Sequence, residues 1–88
     1  MDFQLTEMEK IFLAAMVRSE YGDDGDMTWE FAVAPKEIAK TSRPGVIGSL
    51  VKKGIIYSQE YDKNEFVLGF TEAGLEVQKH FVALRDGK

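Results

Sequence analysis

Residues 35–69 constrain this chain more than any other segment. Pro35 suits the first position of a helix, and residues 36–40 then supply little more than one turn. Thr41 and Ser42 can cap a following helix, with Pro44 in its first turn. That helix gathers Val46, Ile47, Leu50 and Val51 on one face, while Gly45, Gly48 and Ser49 leave its other face nearly bare. Gly54 then offers a left-handed C-cap, and Lys52 and Lys53 suit the negative end of the helix dipole. Residues 55–61 read as a strand, Lys63-Asn64 as a turn and residues 65–70 as the return strand.

The flanking segments complete the domain. Thr6-Glu7-Met8-Glu9 has the form of a capping box and opens a helix that runs to Ser19 or Glu20. Met8, Ile11, Phe12, Ala15 and Met16 make one stripe, which Leu13 and Val17 widen until the helix is apolar nearly all round. Such a helix is buried on several sides, either between other elements or between two subunits. Residues 27–33 alternate, placing Met27, Trp29, Phe31 and Val33 on one face of a half-buried strand. Thr71 caps a last helix, whose Val77, Phe81 and Leu84 face the core and whose Leu75 and Val82 form a second apolar pair. The expected core includes Trp29, Phe31, Ile38, Val46, Leu50, Ile56, Phe66 and Leu68.

Eighty-eight residues make one domain, residues 1–88, with a small core. The hydrophobic share of 44% against 30% charged marks a folded chain. Without cysteine there are neither disulfides nor thiolate metal sites. The apolar run at residues 11–17 is too short to span a bilayer, and acidic residues precede it where a signal peptide has basic ones. A cytoplasmic protein with no membrane association is expected. The net charge of −4 is unevenly placed. Residues 1–33 carry −6 and residues 57–88 carry −2, whereas residues 34–56 carry +4 from Lys36, Lys40, Arg43, Lys52 and Lys53 against Glu37. One basic island in an acidic chain is an electrostatic footprint for nucleic acid, or simply a solvated face.

In order, these elements resemble the winged helix-turn-helix superfamily, of the kind seen in small bacterial, archaeal and phage transcriptional regulators. Glu37-Ile38-Ala39 looks like the start of the family's second helix, and Ser42-Arg43-Pro44 like the start of its recognition helix. Residues 49–56 look like the end of that helix leading into the wing, and Phe70-Thr71-Glu72-Ala73-Gly74 like the step from wing to final helix. The resemblance implies an α+β fold of order α-β-α-α-β-β-α, with a three-stranded antiparallel sheet. It also implies a small regulator binding double-stranded DNA. Lys40, Ser42 and Arg43 would then sit at the head of the recognition helix, Ser49, Lys52 and Lys53 further along it, and Lys63 and Asn64 at the wing tip. The sequence departs from the family in a short second helix. It departs also in Gly45, Gly48 and Ser49, which stand where base-reading regulators present larger polar side chains.

No catalytic constellation is visible, and the chain reads as a non-enzyme that needs neither cofactor nor metal. The lone histidine, His80, lies on the last helix and, in a chain without cysteine, reads as a structural or surface residue. Gly45-Val46-Ile47-Gly48 lacks the lysine, spacing and preceding strand of a phosphate-binding loop. The acidic loop at residues 21–26 lacks EF-hand spacing. No carboxylate falls in an apolar stripe, where a shifted pKa could mark an acid or base. The bare recognition helix and the acids Glu60, Asp62 and Glu65 of the wing keep a second reading open, a winged-helix protein-interaction module that does not bind DNA. A homodimer through the first and last helices is also expected, since it would cover the surplus apolar surface of both.

Overall fold

The computed structural model describes residues 4–19 and 28–87. Helix α1 spans Glu7–Arg18. Strand β1 spans Thr28–Trp29 and passes into a 3-10 turn at Glu30–Ala32. Helix α2 spans Arg43–Lys52, strands β2 and β3 span Ile56–Asp62 and Glu65–Phe70, and helix α3 spans Leu75–Arg85. The strands form one antiparallel sheet in the order β1-β3-β2. The fold of the described residues is therefore α+β, three helices on a three-stranded sheet.

The termini of α1 form as the sequence dictates. The Thr6 hydroxyl accepts from the Glu9 amide at 3.2 Å, and the Glu9 carboxylate accepts from the Thr6 amide at 2.7 Å, so the capping box is closed. The apolar circumference of α1 is absorbed within the monomer. Phe12, Leu13, Met16 and Val17 are all essentially inaccessible, against α2, α3 and the sheet. Of the surplus expected to drive dimerisation, Met8 and Leu75 remain exposed, while Val82 packs partly buried against the core.

Three expectations about local structure fail, each for a physical reason. Residues 36–40 are not helical. They form two separate turns, closed by Ile38 N–H to the Pro35 carbonyl and Ser42 N–H to the Ala39 carbonyl. A single isolated turn of helix fixes many dihedrals for few hydrogen bonds, and the Arg43 guanidinium takes the carbonyls of Pro35 and Ile38 instead. The second helix of the expected order is thus replaced by turns. The expected strand at residues 27–33 is only two residues long among those described, pairing Thr28 with Leu68 and Trp29 with Val67. The chain then coils into the 3-10 turn, which ends the alternation and rotates Phe31 outward until it is 70% exposed. Thr28 takes the inward position, and Trp29 is half-buried on the other face of the sheet. Met27, Glu20 and the acidic loop at residues 21–26 lie outside the described residues.

The third difference concerns α3. Gly74 holds the N-cap position, and Thr71 begins a turn one step earlier. The Thr71 hydroxyl accepts from the Gly74 amide at 2.9 Å and donates to the Gly54 carbonyl at 2.5 Å, tying the start of β2 to the start of α3. Glycine is required at 74, because a Cβ there would overlap the Ile55 carbonyl. The inward stripe of α3 is Val77, Gln78 and Phe81, with Leu84 59% exposed near the helix end.

The hairpin and α2 follow expectation closely. Lys63-Asn64 joins β2 to β3, with Asn64 at φ 63° and the Asp62 carboxylate accepting from the Lys63 amide. Tyr61 falls at an irregularity in the register between Glu60 and Asp62. Gly54, directly after the C-cap Lys53, has φ 77°, the left-handed residue that ends α2. Ile38, Val46, Leu50, Ile55, Ile56 and Leu68 join the core, whereas Phe66 is 38% exposed at the hairpin end of β3, beyond the cover of the helices.

Leu50 is fully enclosed between α1 and the sheet. Leu50→Ala is expected to lower stability by about 2–5 kcal/mol, measured by urea unfolding, because the close-packed site cannot collapse around the void.

Candidate interaction groove

The basic island resolves into side chains with different tasks. Lys53, at the C-cap of α2, is an exposed residue, yet its ammonium is engaged by the fold. Its ammonium lies 2.6 Å from Glu9 Oε1 and 2.5 Å from the Gln4 carbonyl oxygen. Ser49, one turn earlier, donates its hydroxyl to the other oxygen of Glu9. Arg43 is half-buried, donating to the Ile38 carbonyl at 3.2 Å and the Pro35 carbonyl at 2.9 Å. Ser42 occupies the N-cap position of α2 without a side-chain capping bond. Lys40, Lys52, Lys63 and Asn64 remain exposed. Of the eight residues singled out as DNA contacts, then, Arg43, Ser49 and Lys53 are engaged in holding the fold.

Glu9 is the structural carboxylate that the sequence concealed. Its place in a capping box accounts for only one of its carboxylate bonds, yet the residue is 2% exposed. Burial pushes its pKa up, but the hydrogen bonds from Lys53, Ser49 and Thr6 and the charge of Lys53 outweigh this and hold it at about 2, down from 4.5. The partners come from 40 and 44 residues away, a separation that no local pattern exposes.

On the side of α2 away from Glu9, the protein opens into a groove of about 440 Å³. Its floor is apolar, made by Phe12, Val33 and Ile47. Phe31 and Phe66 form its lips, from the 3-10 turn and from β3. Behind Phe31 stands an aromatic cluster. Trp29 stacks on Phe31 with centroids 5.7 Å apart, and meets Tyr61 edge-on at 5.3 Å. Tyr61 is itself 68% exposed. The charges in the groove divide by origin: Lys40 and Arg43 come from the start of α2 and the turn before it, Glu30 and Glu65 from the 3-10 turn and the hairpin. Among the described residues none of these four charges is in an ion pair, the recorded pairs being Lys53–Glu9 and Arg85–Asp86.

Among the described residues, no cluster of three or more histidine, cysteine or carboxylate side chains could hold a metal ion, and no helix is long and apolar enough to cross a membrane. The chain matches no known family model, curated protein or solved structure.

Because the folded pKa of Glu9 lies below its ordinary value, its ion pair stabilises the fold fully above about pH 4.5 and loses that contribution as pH falls towards 2. Glu9→Gln should cost about 1–3 kcal/mol at neutral pH. Urea unfolding of the two proteins across this window is expected to show the gap between them closing as pH falls. A gap that stays constant would mean that the charge of Glu9 does not contribute.

Proposed function

We propose that this chain is a winged-helix module that docks a protein partner in the groove between α2, the 3-10 turn and the β2–β3 hairpin. The observation that carries the reading is Phe31, 70% exposed on the lip of an apolar groove and backed by Trp29. Exposed aromatic side chains beside a concave apolar surface are the usual anchors of protein interfaces. The winged-helix part of the reading rests on the succession of α2, hairpin and α3 with a three-stranded sheet, the turns at residues 36–42 standing in place of the family's second helix.

Electrostatics favour this over duplex recognition. The charge of Lys53 is met by Glu9, and Lys63 at the hairpin tip stands between Asp62 and Glu65. Glu30 and Glu65 face the groove itself. Phosphates brought against this surface would meet carboxylates, which removes much of the counterion-release gain that drives DNA binding. The second reading, duplex DNA binding by a small regulator, is favoured by the exposure of Lys40, Lys52 and Lys63 around the bare positions Gly45 and Gly48 of α2.

Titration of labelled duplex DNA at low and at moderate salt separates the two. The protein-docking reading expects no binding even at low salt. Binding that falls steeply with salt, and that is lost in Lys40→Glu and Lys52→Glu variants of intact fold, would replace it with the DNA reading.

A further inference from the structure

The groove has a property that selects its occupant. It carries a plug and a socket together: Phe31 projects from one lip, and beside it the groove opens between the accessible Pro44 and Phe66, above the buried Phe12 and Ile47. It also carries both signs of charge, Glu30 and Glu65 on one side and Lys40 and Arg43 on the other, with no ion pair among the four. An acidic segment laid in the groove would satisfy the lysine and arginine but face the two carboxylates. A basic segment would meet the converse conflict. A surface holding both halves of a complementary pair is satisfied by itself, turned about a two-fold axis.

We infer that the groove's occupant is a second copy of this chain, in an isologous dimer where Phe31 of each protomer fills the groove of the other. Glu30 of one copy then lies against Lys40 of its partner, twice over. This rests on the groove being a protein-docking surface, and names the partner. The dimer uses the hairpin side of the molecule and leaves the exposed Leu84 of α3 uncovered. A small, mixed-charge contact of this kind gives a reversible association.

Sedimentation equilibrium over a wide concentration range, read alongside fluorescence of Trp29, the sole tryptophan, tests the inference. The mass is expected to rise from 9.9 kDa towards twice that value, with the Trp29 signal changing at the same midpoint, since Trp29 stacks on the inserted Phe31. Phe31→Ala, at an exposed position, should weaken association about tenfold or more while leaving the unfolding midpoint unchanged. The charge pair gives a sharper arm. Glu30→Lys alone and Lys40→Glu alone should each be monomeric, because each places like charges together at both contacts. An equal mixture of the two variants should dimerise, because each lysine at 30 then meets a glutamate at 40 and each lysine at 40 meets a glutamate at 30.

A mass of 9.9 kDa throughout would overturn the second-copy assignment while leaving docking of another protein standing. Association that Phe31→Ala spares and Leu84→Asp abolishes would also overturn it, placing the contact on the terminal helices. Duplex DNA binding lost in Lys40→Glu would remove the protein-docking reading itself.

Discussion

A carboxylate taken out of water has to be answered by the fold around it, and Glu9 is answered from both α1 and α2. Its side chain closes the N-terminus of α1 through the Thr6 amide. It also receives Lys53 and Ser49 from the last turns of α2. This fixes the axial position of α1 against α2, which apolar packing alone would leave free to slide. Lys53 reaches the Gln4 carbonyl as well, so the segment before α1 is fastened to the same point. The network is satisfied throughout, and no buried side-chain polar atom lacks a partner among the described residues.

That internal role redistributes the charge available to a partner. The +4 of residues 34–56 is a count along the chain, and the fold spends part of it inward. Lys53 is neutralised against Glu9, whereas Arg43 holds backbone carbonyls of the turns that precede α2 yet keeps its charge and lines the groove. What reaches the groove is a balanced set of two acids and two bases over apolar walls. A mixed, partly aromatic surface of this kind has more in common with the centre of a protein interface than with a phosphate-binding face.

The aromatic cluster shows how a short departure from regular structure makes a surface feature. Had β1 continued through residue 33, Phe31 would have alternated onto a sheet face. The 3-10 turn at Glu30–Ala32 breaks that period and leaves the ring at the groove's lip, supported by Trp29. Val33 then re-enters the core, so the turn is pinned at both ends while its middle residue projects.

By itself the sequence determined the elements whose causes are local. The Thr6–Glu9 capping box, the left-handed Gly54 and the two-residue turn at Lys63-Asn64 depend on residues within a few positions of one another, and the sequence places each correctly. Leu50 and Val46 were legible as core because helical spacing is strict over ten residues. Tertiary structure alone decided the rest. Residues 36–40 have the composition of a helical turn, but Arg43 captured their carbonyls. Trp29 and Phe31 have strand spacing, but the chain leaves the ladder for the 3-10 turn after Trp29, although β3 extends to Glu65. Lys53 and Ser49 look like surface residues of a basic helix until α1 brings a buried carboxylate to them. The groove, too, joins residues between 12 and 66 that no periodicity relates. For Lys53, Ser49 and the groove the deciding partner is distant in sequence, which a local pattern cannot encode, whereas Arg43 acts from only 5 and 8 residues away, through side-chain-to-backbone bonds that no helix or strand period records.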